Sequence, residues 1–375
     1  MKAPRLFKLA LSVLGVCAFV GSVGGDPSSL KFARQTVPVG RALFTGPGGP
    51  VHVANKLCSA RQTDADCAAC HAEVAREAGQ SSHASAWSGA FFQAQWQKEP
   101  LAACVHCHAP QGVPVASAGA GPVGLGCATC HVRVDGIVAG AAVAAPTPAP
   151  HAVVRDPRLS ATEGCAGCHQ FGFFGLGSAG SDRHETPSLQ QATYAEWLLS
   201  PAGRTGTTCQ ACHMPVVARS NGQPGRSHAF AGRTVGLLAA SLKVQAAWSR
   251  KNDVTELSLR LDLAAAGHAV PTGDQFRRID VRLLDPTGRA RAVAHLGRTW
   301  RRLTEQALDG ARVVGKTLAS DRRVLPGSPR LVLLRAKGPP GQWHYTLEHV
   351  RAARDPVAGV LECEPGAQCT VFGGG

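Results

Sequence analysis

The chain has 375 residues and a formal net charge of +14, from 39 Lys and Arg against 25 Asp and Glu. Hydrophobic residues make up 44% and charged residues 17%, which excludes both a disordered acidic tail and a multi-span membrane protein. The length predicts about two domains, and 14 Cys and 15 His beside only 2 Met point to metal chemistry before any motif is read.

In chain order, residues 1–25 come first. Lys2, Arg5 and Lys8 precede an apolar run from Leu9 to Val20, and small residues follow around Gly21 to Gly25. This is the pattern of a secretory signal peptide. The run is shorter than the roughly 20 residues that cross a bilayer, so no transmembrane segment is expected in the mature chain. Cys17 follows Val16, where a lipoprotein box carries a small residue, so a lipid anchor is not expected either. The expected location is periplasmic or extracellular.

Residues 26–235 form the first expected domain. Cys-x-x-Cys-His occurs five times: Cys67, Cys70, His71; Cys104, Cys107, His108; Cys127, Cys130, His131; Cys165, Cys168, His169; and Cys209, Cys212, His213. The spacing suits covalent attachment of haem c, because two thiols add across the two vinyl groups and the following imidazole falls beneath the iron. Zinc sites pair two Cys-x-x-Cys units around one ion, and an odd number of units, each followed at once by His, does not fit that chemistry. All five motifs lie between Cys67 and His213. At that density the macrocycles themselves must supply the core, with short helices and loops around stacked haems. Residues 136–150 (GIVAGAAVAAPTPAP) read as a low-complexity linker between the third and fourth motifs.

The ligand on the far face of each iron separates electron carrier from enzyme. Methionine is excluded: Met1 lies in the leader, and Met214 directly follows His213 and cannot reach round to its own haem. Histidine is abundant. His83 lies 12 residues after His71, roughly 18 Å along a helix, so it should serve a neighbouring haem. His228 follows the fifth motif, and His52 and His151 precede the first and fourth motifs in loop-like surroundings. His184 is held in reserve. His106, His295, His344 and His349 read as bystanders.

Residues 67–87 (CAACHAEVAREAGQSSHASAW), 124–131 (GLGCATCH), 193–215 (TYAEWLLSPAGRTGTTCQACHMP) and 227–230 (SHAF) together resemble the multihaem cytochromes c that accept electrons from hydroxylamine oxidoreductase, and their relatives. The resemblance covers about residues 50 to 235. It implies a mainly helical, closely stacked array of bis-histidine haems with His83 and His228 as distal ligands. Some members of the family carry one open, catalytic haem.

Residues 236–375 form the second expected domain. Leu257, Leu259, Leu261 and Leu263 alternate, as do Ile279, Val281 and Leu283, then Trp343, Tyr345 and Leu347. Period two predicts antiparallel strands, about seven of them in a small β-sandwich-like domain, with a turn at Asp285–Gly288. Cys363 and Cys369 are spaced for a small-loop disulfide, and Cys58 has no evident partner. Residues 267–273 (GHAVPTG) resemble a loop found where multihaem cytochromes carry such a β domain, which makes His268 a candidate to cross the domain interface and ligate a haem.

The expected function is electron transfer between redox partner proteins, with no catalytic residue assigned. Each ferric bis-imidazole haem brings about one net negative charge with its propionates, lowering the total to roughly +9. The remaining basic surface favours acidic partners and gives no reason to expect nucleic acid. Self-assembly into a larger cytochrome array is compatible with the same pattern. The alternative is reduction of a small nitrogen or sulfur species at a five-coordinate haem. The chain lacks the Cys-x-x-Cys-Lys motif that marks the active haem of pentahaem nitrite reductases.

Overall fold

The computed structural model describes residues 67–97, 102–110, 124–133, 136–139, 153–176, 183–232, 235–306, 312–350, 360–363 and 370–372. All of these belong to one compact unit, Thr36–Gly375. The leader with Cys17, together with His52, Cys58, His151 and Cys369, lies outside the described residues. Among the described residues no helix is long and apolar enough to cross a membrane.

The motif-bearing half is built from short helices. Ala102–His108, Cys127–His131, Glu163–His169 and Cys209–His213 each end on the histidine of a motif. Positions i, i+3 and i+4 share one face of a helical turn, so both sulfurs and the imidazole project together. His71 instead sits at the N-cap of helix Ala72–Gly79. Helices Ala90–Trp96, Thr193–Leu199 and Pro201–Thr205 fill the space between motifs.

Short strands accompany these helices, where the sequence reading expects only helices and loops. They are β1 (Val132–Arg133), β2 (Gly136–Ala139), β3 (Val153–Arg155), β4 (Gln170–Leu176), β5 (Arg183–Ala192), β6 (Val216–Ala218) and β7 (Pro224–Arg226). The start of the expected linker is therefore a strand: β2 pairs antiparallel with β1 and parallel with β3. β4 and β5 form a hairpin whose register slips around Gly172, where the missing side chain lets a bulge form.

The C-terminal part carries β8 (Leu242–Lys251), β9 (Val254–Leu263), β10 (Arg278–Leu284), β11 (Ala290–Gln306), β12 (Arg312–Asp321), β13 (Arg330–Lys337), β14 (His344–Val350), β15 (Val360–Cys363) and β16 (Thr370–Phe372). One sheet runs β13-β9-β8 and the other β16-β15-β14-β10-β11-β12-β4-β5. The second sheet thus takes in the β4–β5 hairpin of the motif-bearing half, through the pairing of Val314 with Leu176. Leu257, Leu259 and Leu261 of β9 meet Ile279, Val281 and Leu283 of β10 and Tyr345 and Leu347 of β14 in one buried cluster. Each such leucine withdrawn from water contributes about 2 kcal/mol. The expected turn is present, with Asp285 N–H bonded to Arg289 O at 2.9 Å and Gly288 at φ +80°.

Candidate haem-binding sites

Three pairs of imidazoles face each other at one spacing. The ring centres of His169 and His83, of His131 and His228, and of His213 and His268 are each 6.1 Å apart. A metal bonded to both rings of a pair needs about 2 Å to each nitrogen and about 1.1 Å from nitrogen to ring centre, so about 6.2 Å in all. The donor sets therefore fit an iron held between two histidines. In every pair one partner belongs to a motif and the other comes from a distant segment. His83, His228 and His268 are three of the candidates named from sequence.

Burial holds His83, His228 and His268 below the usual histidine range and His169 at about 3, so these rings are neutral near pH 7, as a ligand must be. His169 is dehydrated enough for that shift although its side chain is exposed.

Backbone carbonyls orient the imidazoles. Nδ1 of His108 bonds to Ala86 O at 2.6 Å, that of His228 to Arg226 O at 2.9 Å and that of His268 to Ala269 O at 2.9 Å; His213 Nδ1 does the same with Ala231 O. A proton on Nδ1 leaves the Nε2 lone pair for the metal. His169 Nδ1 lies 2.8 Å from the Gln191 side-chain amide on β5. The Phe92 ring stacks on His108 at 3.7 Å.

Each distal histidine rides on a segment pinned by other contacts. Gly124 packs so tightly on the carbonyls of His83 and Ala84 that a Cβ there would collide with both, and Leu125 N–H bonds to His83 O at 2.8 Å. The His228 N–H donates to Glu77 Oε2 at 2.8 Å, and Glu77 is itself paired with Arg219 at 2.8 Å. The His268 loop lies against helix Thr193–Leu199. Ala269 N–H and Thr272 Oγ1 both donate to Glu196 Oε2, at 3.2 and 2.7 Å, and buried Arg323 bridges Glu196 and Asp321 at 2.7 and 2.6 Å. No motif announces Glu196, Arg323 or Asp321. Glu196 is a lone charge on helix Thr193–Leu199, Asp321 and Arg323 belong to the short charged run 321–323, and only the fold brings them beneath the loop.

For His71 and His108, the described residues supply no second imidazole at the 6.1 Å spacing. Of the bystanders, His295 bonds to Asp280 at 2.7 Å. His349 is held at about 4 by burial, and its Nε2 is buried without a hydrogen-bond partner. The backbone of His184 pairs with Gly175 within the β4–β5 hairpin.

No protein-family model matches the chain. No curated protein matches it. Among solved structures the fold resembles that of a multihaem cytochrome c. The fold resembles that of the penta-heme cytochrome c552 from Thermochromatium tepidum, with a TM-score of 0.55 and 17% identity over 81% of this chain and 99% of that chain. The beta-glucosidase 3B from Thermotoga neapolitana in complex with glycerol gives a TM-score of 0.14 at 11% identity, over 36% of this chain and 17% of that chain, and carries no argument.

Proposed function

We propose that the chain is an exported pentahaem c-type cytochrome that passes electrons between redox partner proteins and catalyses no substrate chemistry of its own. Cys67, Cys70, Cys104, Cys107, Cys127, Cys130, Cys165, Cys168, Cys209 and Cys212 hold five haem c groups, with His71, His108, His131, His169 and His213 as proximal ligands. His228, His83 and His268 take the far faces of the third, fourth and fifth, with His52 and His151 as the further distal candidates. The observation that carries this reading is the recurrence of one ring spacing, 6.1 Å, at three separate motifs. Haem c supplies a one-electron centre, and two histidine ligands with no methionine keep its potential comparatively low.

The narrower kinship, with partners of hydroxylamine oxidoreductase, rests on the motif-bearing segments quoted above and belongs to the same proposal. So do the periplasmic or extracellular location and the preference for acidic partners.

Mass spectrometry of the mature protein tests the reading: five covalently bound haems and loss of about the first 25 residues are expected. Four haems, or zinc, would overturn it. Low-temperature EPR of the oxidised protein should show low-spin iron alone, and a high-spin signal would transfer the assignment from carrier to enzyme.

A further inference from the structure

We infer that Gln191 on β5 is a positioning residue for His169 that sets the potential of the fourth iron, and that Arg298 on β11 ties Gln191 to the His268 loop, so that two iron sites answer to one residue of the C-terminal sheet. The inference rests on the haem-ligand assignments proposed above.

The strand ladder explains how Gln191 reaches the ring. β4 begins at Gln170, the residue after His169, and pairs with β5 through Gln170 with Ala192 and Phe171 with Gln191. Gln191 therefore stands close to His169 across an antiparallel ladder, and its side-chain amide lies 2.8 Å from His169 Nδ1. His108 and His213, by contrast, direct Nδ1 at peptide carbonyls. The two ends of an amide exchange by a half-turn, so Gln191 can serve either tautomer of the ring. With iron on Nε2 the proton sits on Nδ1, and the amide oxygen accepts its hydrogen bond.

The chemistry of the acceptor matters to the iron. The stronger the acceptor at Nδ1, the more negative charge the imidazole pushes onto the metal, and the more the ferric state is favoured. A peptide carbonyl has much the same strength whatever the sequence. At the fourth site the acceptor is a side chain, so the residue at position 191 sets the basicity of the ligand.

Arg298 fixes the strand that carries Gln191. It lies where β11 passes from pairing with β10 to pairing with β12, with its guanidinium over the Trp300 ring at 4.9 Å. Nη1 donates to Leu189 O at 3.2 Å and Nη2 to Gln190 O at 2.6 Å, the carbonyls of the two residues before Gln191. Nη2 also donates to Gly273 O at 2.7 Å, at the end of the loop that presents His268. The same two segments meet again where Thr193 Oγ1 and Thr272 Oγ1 lie 2.9 Å apart. Hydrogen bonds from a charged donor are about twice as strong as neutral ones, so one guanidinium shared by three carbonyls is a firm tie. Displacing residues 189–191 moves the acceptor at His169, and displacing Gly273 moves the loop behind His268.

The test uses the full haem-loaded protein and redox titration followed by low-temperature EPR. His83→Ala and His268→Ala first identify the fourth and fifth low-spin signals as those that each variant removes. Gln191→Leu, which changes no charge, should raise the potential of the fourth iron, whereas Gln191→Glu should lower it and narrow that iron's spread of g-values. No change in either variant, or a shift of the same sign in both, would overturn the role of Gln191. Arg298→Met should alter the fourth and fifth signals and leave the third as it was; a change in neither, in one alone, or in the third as well would overturn the shared tie. If Arg298→Met does not fold, Arg298→Lys, which keeps the cation but reaches fewer carbonyls, should give the same paired change, and its absence counts against the tie. Mass spectrometry and the two histidine variants separate the levels. Five haems and two opened irons with unmoved potentials defeat this inference alone, whereas fewer than five haems, or a full set of low-spin signals surviving His83→Ala, defeat the ligand assignments and the inference with them.

Discussion

Hydrogen bonds from four imidazoles to peptide carbonyls set ligand orientation by backbone alone at His108, His213, His228 and His268. Side-chain substitutions around these rings should leave the tautomer intact, and only loss of the ring itself should open an iron. Methionine has no part in this scheme. Met214 is fixed at the C-cap of helix Cys209–His213, its N–H bonded to Gln210 O and its carbonyl to Arg226. The oxidised protein should lack the far-red thioether-to-iron band, and Met214→Leu should leave the visible spectrum unchanged; a band that disappears in the variant would contradict this. His349 makes a separate prediction about pH. Its folded pKa, about 4, lies below the ordinary value of 6.5, so between those values the unfolded chain binds the proton and the folded chain does not. Stability contributed above pH 6.5 is lost as pH falls toward 4, by on the order of 3 kcal/mol. Urea unfolding of the C-terminal part at pH 7 and 4.5 should show the loss, and His349→Leu should reduce it.

At the scale of elements, the loop at residues 267–273 is the piece on which the fifth site depends. His268→Ala should give a new high-spin signal and carbon monoxide binding while all five haems stay attached, because attachment needs only the Cys-x-x-Cys-His units. An unchanged low-spin spectrum would return His268 to the role of a turn residue. Arg323→Met attacks the same loop from beneath by leaving Glu196 and Asp321 buried without their cation, at a cost of about 3 to 5 kcal/mol measured by denaturant titration. Sequence made His268 a candidate because residues 267–273 resemble a loop of multihaem cytochromes that carry a β domain, and it disclosed β9, β10 and β14 because leucine and valine alternate with polar residues along them. It did not disclose Glu196 and Arg323, which lie 127 positions apart and acquire meaning only when helix Thr193–Leu199 meets the segment after β12. The β4–β5 hairpin was equally hidden. Its glycines and bulges break the period-two pattern, and its pairing with β12 is long-range.

Burial is divided unevenly over the whole molecule, and the division predicts how the chain behaves without haem. Between residues 67 and 232 the described apolar residues that reach full burial are Ala109, Ala166, Tyr194 and Ala195. Three of these four are alanines, with little surface to withdraw from water, so polypeptide burial at about 25 cal/mol per Å² cannot offset the backbone entropy of so many ordered residues. The C-terminal strands are different: Leu257, Leu259, Leu261, Ile279, Val281, Leu283, Leu296, Tyr345 and Leu347 are all at most 1% exposed and form one cluster. That core involves no motif cysteine, and truncating one member, Leu259→Ala, should cost about 3 kcal/mol. Protein produced where haem is not attached should therefore be cut readily by protease across residues 67–232, while β8 to β14 persist as a protected fragment identifiable by mass. The haem-loaded protein should resist cutting in both regions, since macrocycles packed between the motifs supply the apolar contact that the side chains there do not. Equal protection of the two regions without haem would mean that the motif-bearing half has a polypeptide core of its own, and the uneven burial would then have another cause.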